Sequence, residues 1–230
     1  MIIKINLAKN KDLKKIVNNY EKYFIYICNT INLPKKWNKK KAFEIEIKKS
    51  FIRGLLRYSE NSYKILQFLK KKYYKDFLKS KKINWLTLPY PMIHLSKDNV
   101  EDGGYHYDDC SNKNYYTCWI PITDYNYSAL SMLNFQSKII NKIFTFLIKT
   151  GICKYFSHDI NAKKGNIFFW NGIQIHSGKK NISKIPSCAI QLKLVNEVYK
   201  FEQNKNINYN FYKKNKNFKN LNKKDILIII

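Results

Sequence analysis

Gly104-Tyr105-His106-Tyr107-Asp108 and Gln174-Ile175-His176-Ser177-Gly178 are the two stretches whose joint reading decides this chain. A His-x-Asp pair followed by one distant His supplies two imidazoles and a carboxylate. That donor set is the one used by mononuclear non-haem iron sites, where it covers one face of an octahedron and leaves the opposite face open. On a strand, residues i and i+2 point to one side, so His106 and Asp108 face the same cavity from one strand end. His176 ends another short run, Ile173 to His176, which a jelly roll brings alongside. Gly103-Gly104 lets the backbone turn tightly into the pair.

Outward from these stretches, the chain from about Trp85 to Val195 is a series of short β-rich runs separated by turns. They are Leu86 to Leu95, Tyr115 to Ile122, Ala129 to Phe135, Gly165 to Trp170, Ile173 to His176 and Ser187 to Val195. One helix interrupts them, with Ile139, Ile140, Ile143, Phe144 and Leu147 spaced for a buried face. The first third is helical in pattern. Leu13, Ile16, Val17, Tyr20, Phe24 and Cys28 recur at three- and four-residue steps. Pro34 ends that segment. Phe43, Ile47, Phe51 and Leu55 step by four and are expected to form a second apolar stripe. Ile65, Leu66, Leu69, Tyr73 and Phe77 make a third. The expected organisation is a helical layer over 1–85 packed on a β core over 86–196, followed by a polar, Lys/Asn-rich extension over 197–230.

Composition sets the outer limits. With 230 residues, 45% hydrophobic and 16% aromatic, the chain is one ordered domain with a sizeable core. No apolar run reaches the roughly 18–20 residues of a membrane span. The N-terminus has neither an apolar h-region nor a small-residue cleavage site, so the expected location is the cytoplasm. The five cysteines are scattered with no Cys-x-x-Cys, which predicts free thiols. The net charge of +27 is spread over the chain and not gathered in one Arg-rich, aromatic-interleaved patch. It accompanies an excess of Lys, Asn, Ile and Tyr, the mark of an AT-rich coding sequence. A preference for anionic small-molecule substrates is compatible with it, and nucleic acid is the less favoured partner.

The text around the His and Asp residues resembles a known family. His106-Tyr107-Asp108 is followed by Trp119-Ile120-Pro121-Ile122-Thr123-Asp124, then Gly165-Asn166 before a strand, then His176 with Asn181-Ile182-Ser183. This order is similar to that of the Fe(II)/2-oxoglutarate dioxygenases, with the phytanoyl-CoA dioxygenase-like branch nearest. The resemblance covers about residues 88 to 195. It implies an α+β protein whose core is a double-stranded β-helix (a jelly roll, cupin-like) carrying an N-terminal helical layer. It also implies Fe(II) held by His106, Asp108 and His176, with 2-oxoglutarate and O₂ as co-substrates. Such enzymes couple oxidation of a substrate C–H bond to conversion of 2-oxoglutarate to succinate and CO₂.

One position departs from the pattern. The family places an Arg about eleven residues after the second His, where its planar fork grips the far carboxylate of 2-oxoglutarate. Here that count lands on Ser187. Three explanations compete. A lysine substitutes, with Lys180, Lys184 and, further along the same strand face, Lys193 as candidates. A polar set of Ser187 with Tyr116 or Thr117 binds the carboxylate more weakly. Or the site does not use 2-oxoglutarate. Trp119 matches a position beside the co-substrate, Gln174 shares the facing of His176, and His94 lies on a strand leading into the site. His158-Asp159 falls outside the strand pattern and is left out of the metal set. The expected function is hydroxylation of a small-molecule, acyl or sugar-type substrate. The alternatives are a nucleic-acid-directed dioxygenase, or a non-catalytic binding protein that keeps the fold.

Overall fold

The computed structural model describes residues 3–6, 11–70, 85–86, 89–96, 104–108, 116–125, 129–133 and 152–195. Three helices come first: α1 (Lys11–Thr30), α2 (Ala42–Arg57) and α3 (Glu60–Phe68). Strand β1 (Ile3–Asn6) precedes them. Eight further strands follow: β2 (Trp85–Leu86), β3 (Tyr90–His94), β4 (Tyr116–Pro121), β5 (Leu130–Leu133), β6 (Ser157–Ile160), β7 (Asn166–Asn171), β8 (His176–Gly178) and β9 (Ser187–Val195). The chain is thus α+β, with every pair of these strands antiparallel among the described residues. The expected helix over 139–147, the far end of the third stripe and the polar extension lie outside the described residues. No helix among the described residues is long and apolar enough to cross a membrane.

The strands form two sheets. The larger runs β1-β7-β4-β9-β2, with β3 also paired to β9; the smaller runs β6-β5-β8. An isolated bridge between His106 and His176 extends the small sheet beyond β8. Alternation along the strands tells which face meets what. In β9, Cys188, Ile190, Leu192 and Leu194 join one apolar cluster with α1, α2 and α3, as do Cys118 and Ile120 of β4 and Ile167 and Phe169 of β7. The intervening residues Trp119, Phe168, Trp170 and Ala189 join a second cluster with Leu130 and Met132 of the small sheet. Every second residue therefore faces the helices, and the others fill the space between the sheets.

The helices follow their sequence patterns with one exception. In α1, Leu13, Val17, Tyr20, Phe24, Ile27 and Cys28 are buried. The helix stops at Thr30, four residues before Pro34, where Asn32 takes a left-handed φ of 53°. Asn tolerates that conformation, and the Leu33 N–H donates back to the Cys28 carbonyl. Ser59 caps α3 by accepting from the Ser62 N–H.

The exception is α2. The stripe Phe43, Ile47, Phe51 and Leu55 faces outward, with Phe43 82% and Phe51 60% exposed. Ile45, Lys49, Ile52 and Leu56 are the buried positions. Geometry explains the choice. Strict four-residue steps drift about 40° per step around a helix of 3.6 residues per turn, so that stripe winds away from any flat partner. The 4-3-4 spacing of Ile45 to Leu56 returns to within about 20° over its length and stays against the sheet. Lys49 is accommodated there by pairing its Nζ with Glu46 Oε1 at 2.7 Å.

Two other expectations shift. The run Ile173 to His176 is not a strand ending at His176; β8 begins there. Asn171 turns the chain instead, its carbonyl accepting from Gln174 N–H and its Oδ1 from Ile173 N–H. His158 and Asp159, taken to lie in a loop, belong to β6, and both side chains are exposed.

The connection from β8 to β9 is tied by Asn181, which is buried. Its Nδ2 donates to the carbonyls of His94 and Ile185, both at 2.9 Å, and to Ser187 Oγ at 3.3 Å. Its Oδ1 accepts from the backbone and hydroxyl of Ser183. Two outcomes in urea unfolding follow. Ile52→Ala is expected to cost about 2–5 kcal/mol, and Phe51→Ala less than about 1 kcal/mol, the reverse of what the four-residue stripe would predict. Asn181→Ala is expected to cost about 1–3 kcal/mol, because it removes a buried side chain whose hydrogen bonds tie His94, Ser183, Ile185 and Ser187 together.

Candidate metal centre

His106 and His176 are held together by backbone. The His106 N–H donates to the His176 carbonyl and the His176 N–H to the His106 carbonyl, each at 2.9 Å. Their rings stand 4.5 Å apart, centre to centre. Gly104, with φ of +25°, sets the approach in a conformation that L side chains rarely adopt. Asp108 follows two residues after His106. One ligand atom from each of His106, Asp108 and His176 lies within 4.8 Å of the others. The three residues grade from surface to interior: His106 is exposed, Asp108 half-buried, and His176 buried.

Both rings are aimed by carbonyls of their own local backbone. Nδ1 of His106 lies 2.8 Å from the Gly104 carbonyl, and Nδ1 of His176 lies 2.9 Å from the Gln174 carbonyl. A carbonyl only accepts, so each Nδ1 donates to it, and Nε2 is the nitrogen not engaged by these carbonyls. This is the arrangement by which proteins fix a metal-binding imidazole. Burial pushes the His176 pKa down to about 4, although Asp108 pulls it the other way, so that ring is neutral at pH 7. Trp170 packs against it at 5.1 Å between ring centres.

Asp108 is met by a row of side chains that run across three adjacent strands of the large sheet. Thr117 on β4 is in register with Trp170 on β7 and with Lys193 on β9. All three face the space between the sheets, and all three donate to the Asp108 carboxylate. The Trp170 Nε1–H donates to Oδ2 at 3.3 Å, and the Thr117 hydroxyl makes a short hydrogen bond to the same oxygen. The Lys193 ammonium pairs with Oδ1 at 2.6 Å and donates to Thr117 Oγ1 at 3.1 Å. Burial alone would raise the Asp108 pKa. The Lys193 charge, the His176 ring and the hydrogen bonds from Lys193 and Thr117 outweigh it and hold the group below its ordinary value.

The remaining residues singled out in the sequence fall in different places. Trp119 is buried between the sheets, its ring 5.7 Å from those of Tyr125 and Phe168. Tyr116, at the start of β4, is half-buried and packs with the helix-side cluster. Ser187 is buried at the opposite end of β9 from Lys193, about 20 Å away at strand rise. Its hydroxyl accepts from Asn181 and donates to the His94 carbonyl. Lys180 and Lys184 are exposed on the loop between β8 and β9. Gln174 is buried, its Nε2 donating to the Leu133 and Ile175 carbonyls. His158 and Asp159 are not part of the His106, Asp108 and His176 cluster, and Asp159 pairs with Lys179 at 3.1 Å.

Sequence reasoning missed Trp170 as a partner of Asp108. The available signal was indirect. In strands aligned side by side, a Trp, a Thr and a Lys at inward-facing positions meet at one height, and pairing register is not readable from one sequence.

No family model matches the sequence, and no curated protein does. Solved structures resemble the fold. One is the non-haem α-ketoglutarate-dependent carbocyclase SnoK from nogalamycin biosynthesis, 11% identical over 84% of this chain and 79% of that one, with a TM-score of 0.44. Another is an N-substituted L-amino acid dioxygenase from Burkholderia ambifaria AMMD, 9% identical over 86% and 83%, TM-score 0.42. A third is HygX from Streptomyces hygroscopicus with nickel and 2-oxoglutarate bound, 9% identical over 86% and 83%, TM-score 0.44. At such identities and TM-scores the likeness carries no functional argument, which rests on the residues around Asp108. None of the three is described as phytanoyl-CoA dioxygenase-like.

Proposed function

We propose that this chain is a non-haem Fe(II)/2-oxoglutarate-dependent oxygenase that oxidises a small-molecule substrate, with a double-stranded β-helix core. The observation that carries the reading is the matched pair of imidazoles. Both Nδ1 atoms are committed to backbone carbonyls, so both Nε2 lone pairs are available beside one carboxylate. Two neutral nitrogens and one anionic oxygen suit Fe(II). The strand order supports the fold reading. Along the chain, β3, the His106 bridge, β4, β5, β6, β7, β8 and β9 pass from one sheet to the other at every step but β5 to β6, which stay in the small sheet, so as to give β3-β9-β4-β7 and His106-β8-β5-β6. That interleaving is how two sheets wind into a double-stranded β-helix.

Bound iron would supply a centre where O₂ is activated at the expense of 2-oxoglutarate. The chain's own residues would do the rest. His106, Asp108 and His176 would hold the ion, with the carbonyls of Gly104 and Gln174 fixing ring orientation. Trp170 and Thr117 would fix the carboxylate of Asp108. Trp119, Phe168, Leu130 and Met132 fill the space between the sheets with apolar side chains and keep water from it. Exposed His106 marks the side from which a substrate would reach the ion.

The test is turnover by iron-reconstituted protein. Wild-type protein is expected to form succinate from 2-oxoglutarate in an iron- and O₂-dependent way. His106→Ala and Asp108→Ala are expected to lose at least about 100-fold of that activity while retaining native circular dichroism. Failure of the wild-type protein to consume 2-oxoglutarate, or full activity in both variants, would overturn the proposal.

A further inference from the structure

His106 and His176 form an isolated bridge at the edge of the small sheet. One bridged pair fixes a point and leaves the direction of the segment through His106 to other contacts. The side chain one residue back supplies one. Met132 of β5 is in register with His176 of β8, and His106 extends that row; Met132 packs between the sheets. Successive residues of a strand point to opposite faces, so Tyr105 and Tyr107 lie on the outer face, where both pack on Leu133, Cys153 and Ile175. Ser131, one residue before Met132, shares that face and is buried. The Tyr105 side chain reaches across β8 to it. Its hydroxyl oxygen is 3.1 Å from Ser131 Oγ on β5 and 2.5 Å from Ser157 Oγ on β6. The Ser131 hydroxyl donates to Ser157 Oγ at 2.9 Å, and Ser157 donates to the Lys154 carbonyl at 3.0 Å. With its one proton committed there, Ser157 accepts from Tyr105.

We infer that Tyr105 is a positioning residue for the metal centre: a strut that ties the segment carrying His106 and Asp108 to β5 and β6 and so keeps both ligands beside His176. The inference rests on His106, Asp108 and His176 being the metal ligands. A tyrosine suits the part. Its side chain turns about two χ angles only, so a hydroxyl fixed at one end fixes the backbone at the other. Tyr105 also stands between His106 and Gly104, whose carbonyl accepts from His106 Nδ1, so the same anchor steadies the group that aims the ring. Without the strut, the segment would sample positions in which the three ligand atoms are apart. A metal ion would then bind only the assembled fraction, and its apparent affinity would fall by that fraction. The loaded site itself would keep its geometry, because Tyr105 lies on the face of the sheet away from Met132 and the space between the sheets.

The experiment is Mn²⁺ binding to the full chain without O₂, read by calorimetry, together with hydrogen exchange at the His106 amide and the visible spectrum of the Co²⁺-saturated protein. Tyr105→Phe keeps the ring in its apolar cluster and removes only the hydroxyl. It is expected to bind Mn²⁺ about tenfold more weakly than wild type, and to exchange the His106 amide about tenfold faster in metal-free protein. Its Co²⁺ spectrum is expected to match wild type, since the bound ion gathers the same ligands. Ser157→Ala is expected to behave likewise, and the double variant to lose less than the two single losses combined, because both remove one contact. Tyr155→Phe, at a tyrosine 75% exposed, controls for loss of a phenol and is expected to match wild type. A hydroxyl with a merely structural role would lower the unfolding temperature and leave Mn²⁺ affinity, measured well below that temperature, at the wild-type value. That result in both single variants would overturn the inference and leave the metal site standing. An altered Co²⁺ spectrum would also overturn it, because the hydroxyl would then act on the loaded site. If wild-type protein binds no Mn²⁺, or His106→Ala binds it as wild type does, the metal-site reading itself fails and the inference with it.

Discussion

A carboxylate inside a β-sandwich needs compensation, and Asp108 sets that demand. Taking an ionised carboxyl out of water costs several kcal/mol unless donors replace the solvent. Here the donors come from three neighbouring strands at one height: Trp170 on β7, Thr117 on β4 and Lys193 on β9. That arrangement depends on register. A slip of one residue in β4 would turn Thr117 toward the helices and bring Cys118 inward. Register in turn is set by what the opposite faces bury. Cys118, Ile120, Phe169, Leu192 and Leu194 pack against α1, α2 and α3 in one cluster. The helical layer thus bears on the site without touching it.

The histidines answer a different demand, that of aim. Each ring is held by a carbonyl two residues back, Gly104 for His106 and Gln174 for His176. The two segments are then locked by the reciprocal backbone bonds between the histidines themselves. Orientation therefore comes from main chain, which the sheets already fix, and needs no additional side chain. Buried Gln174 reinforces the second segment by donating to the Leu133 and Ile175 carbonyls. The result is two imidazoles and one carboxylate with a ligand atom of each within 4.8 Å of the others.

Much of this was legible in the sequence because it is periodic or local. Strand β9 coincides with the β-rich run read from Ser187 to Val195, and α1 carries the three- and four-residue spacing read from Leu13 to Cys28. His106 and Asp108 could be read together as candidate ligands because they lie within three residues of each other. Other features were not legible because they depend on pairing across the fold. The α2 stripe Phe43-Ile47-Phe51-Leu55 has the right composition for a core face but winds off it, and only the partner surface selects Ile45-Ile52-Leu56. The start of β8 at His176 was misplaced because Asn171 extends a turn through side-chain bonding. Lys193 was one of several candidate lysines. What separates it from exposed Lys180 and Lys184 is a cross-strand neighbour, Thr117, 76 residues away in sequence.

The central claim is that His106, Asp108 and His176 bind one metal ion through two Nε2 atoms and one carboxylate oxygen. Crystals grown without O₂ in the presence of Mn²⁺ and 2-oxoglutarate test it most directly, through the anomalous signal of the metal. The account predicts a single strong peak bounded by His106 Nε2, His176 Nε2 and a carboxylate oxygen of Asp108. A peak elsewhere, or an Asp108 still paired with Lys193 and no metal between the histidines, would contradict it.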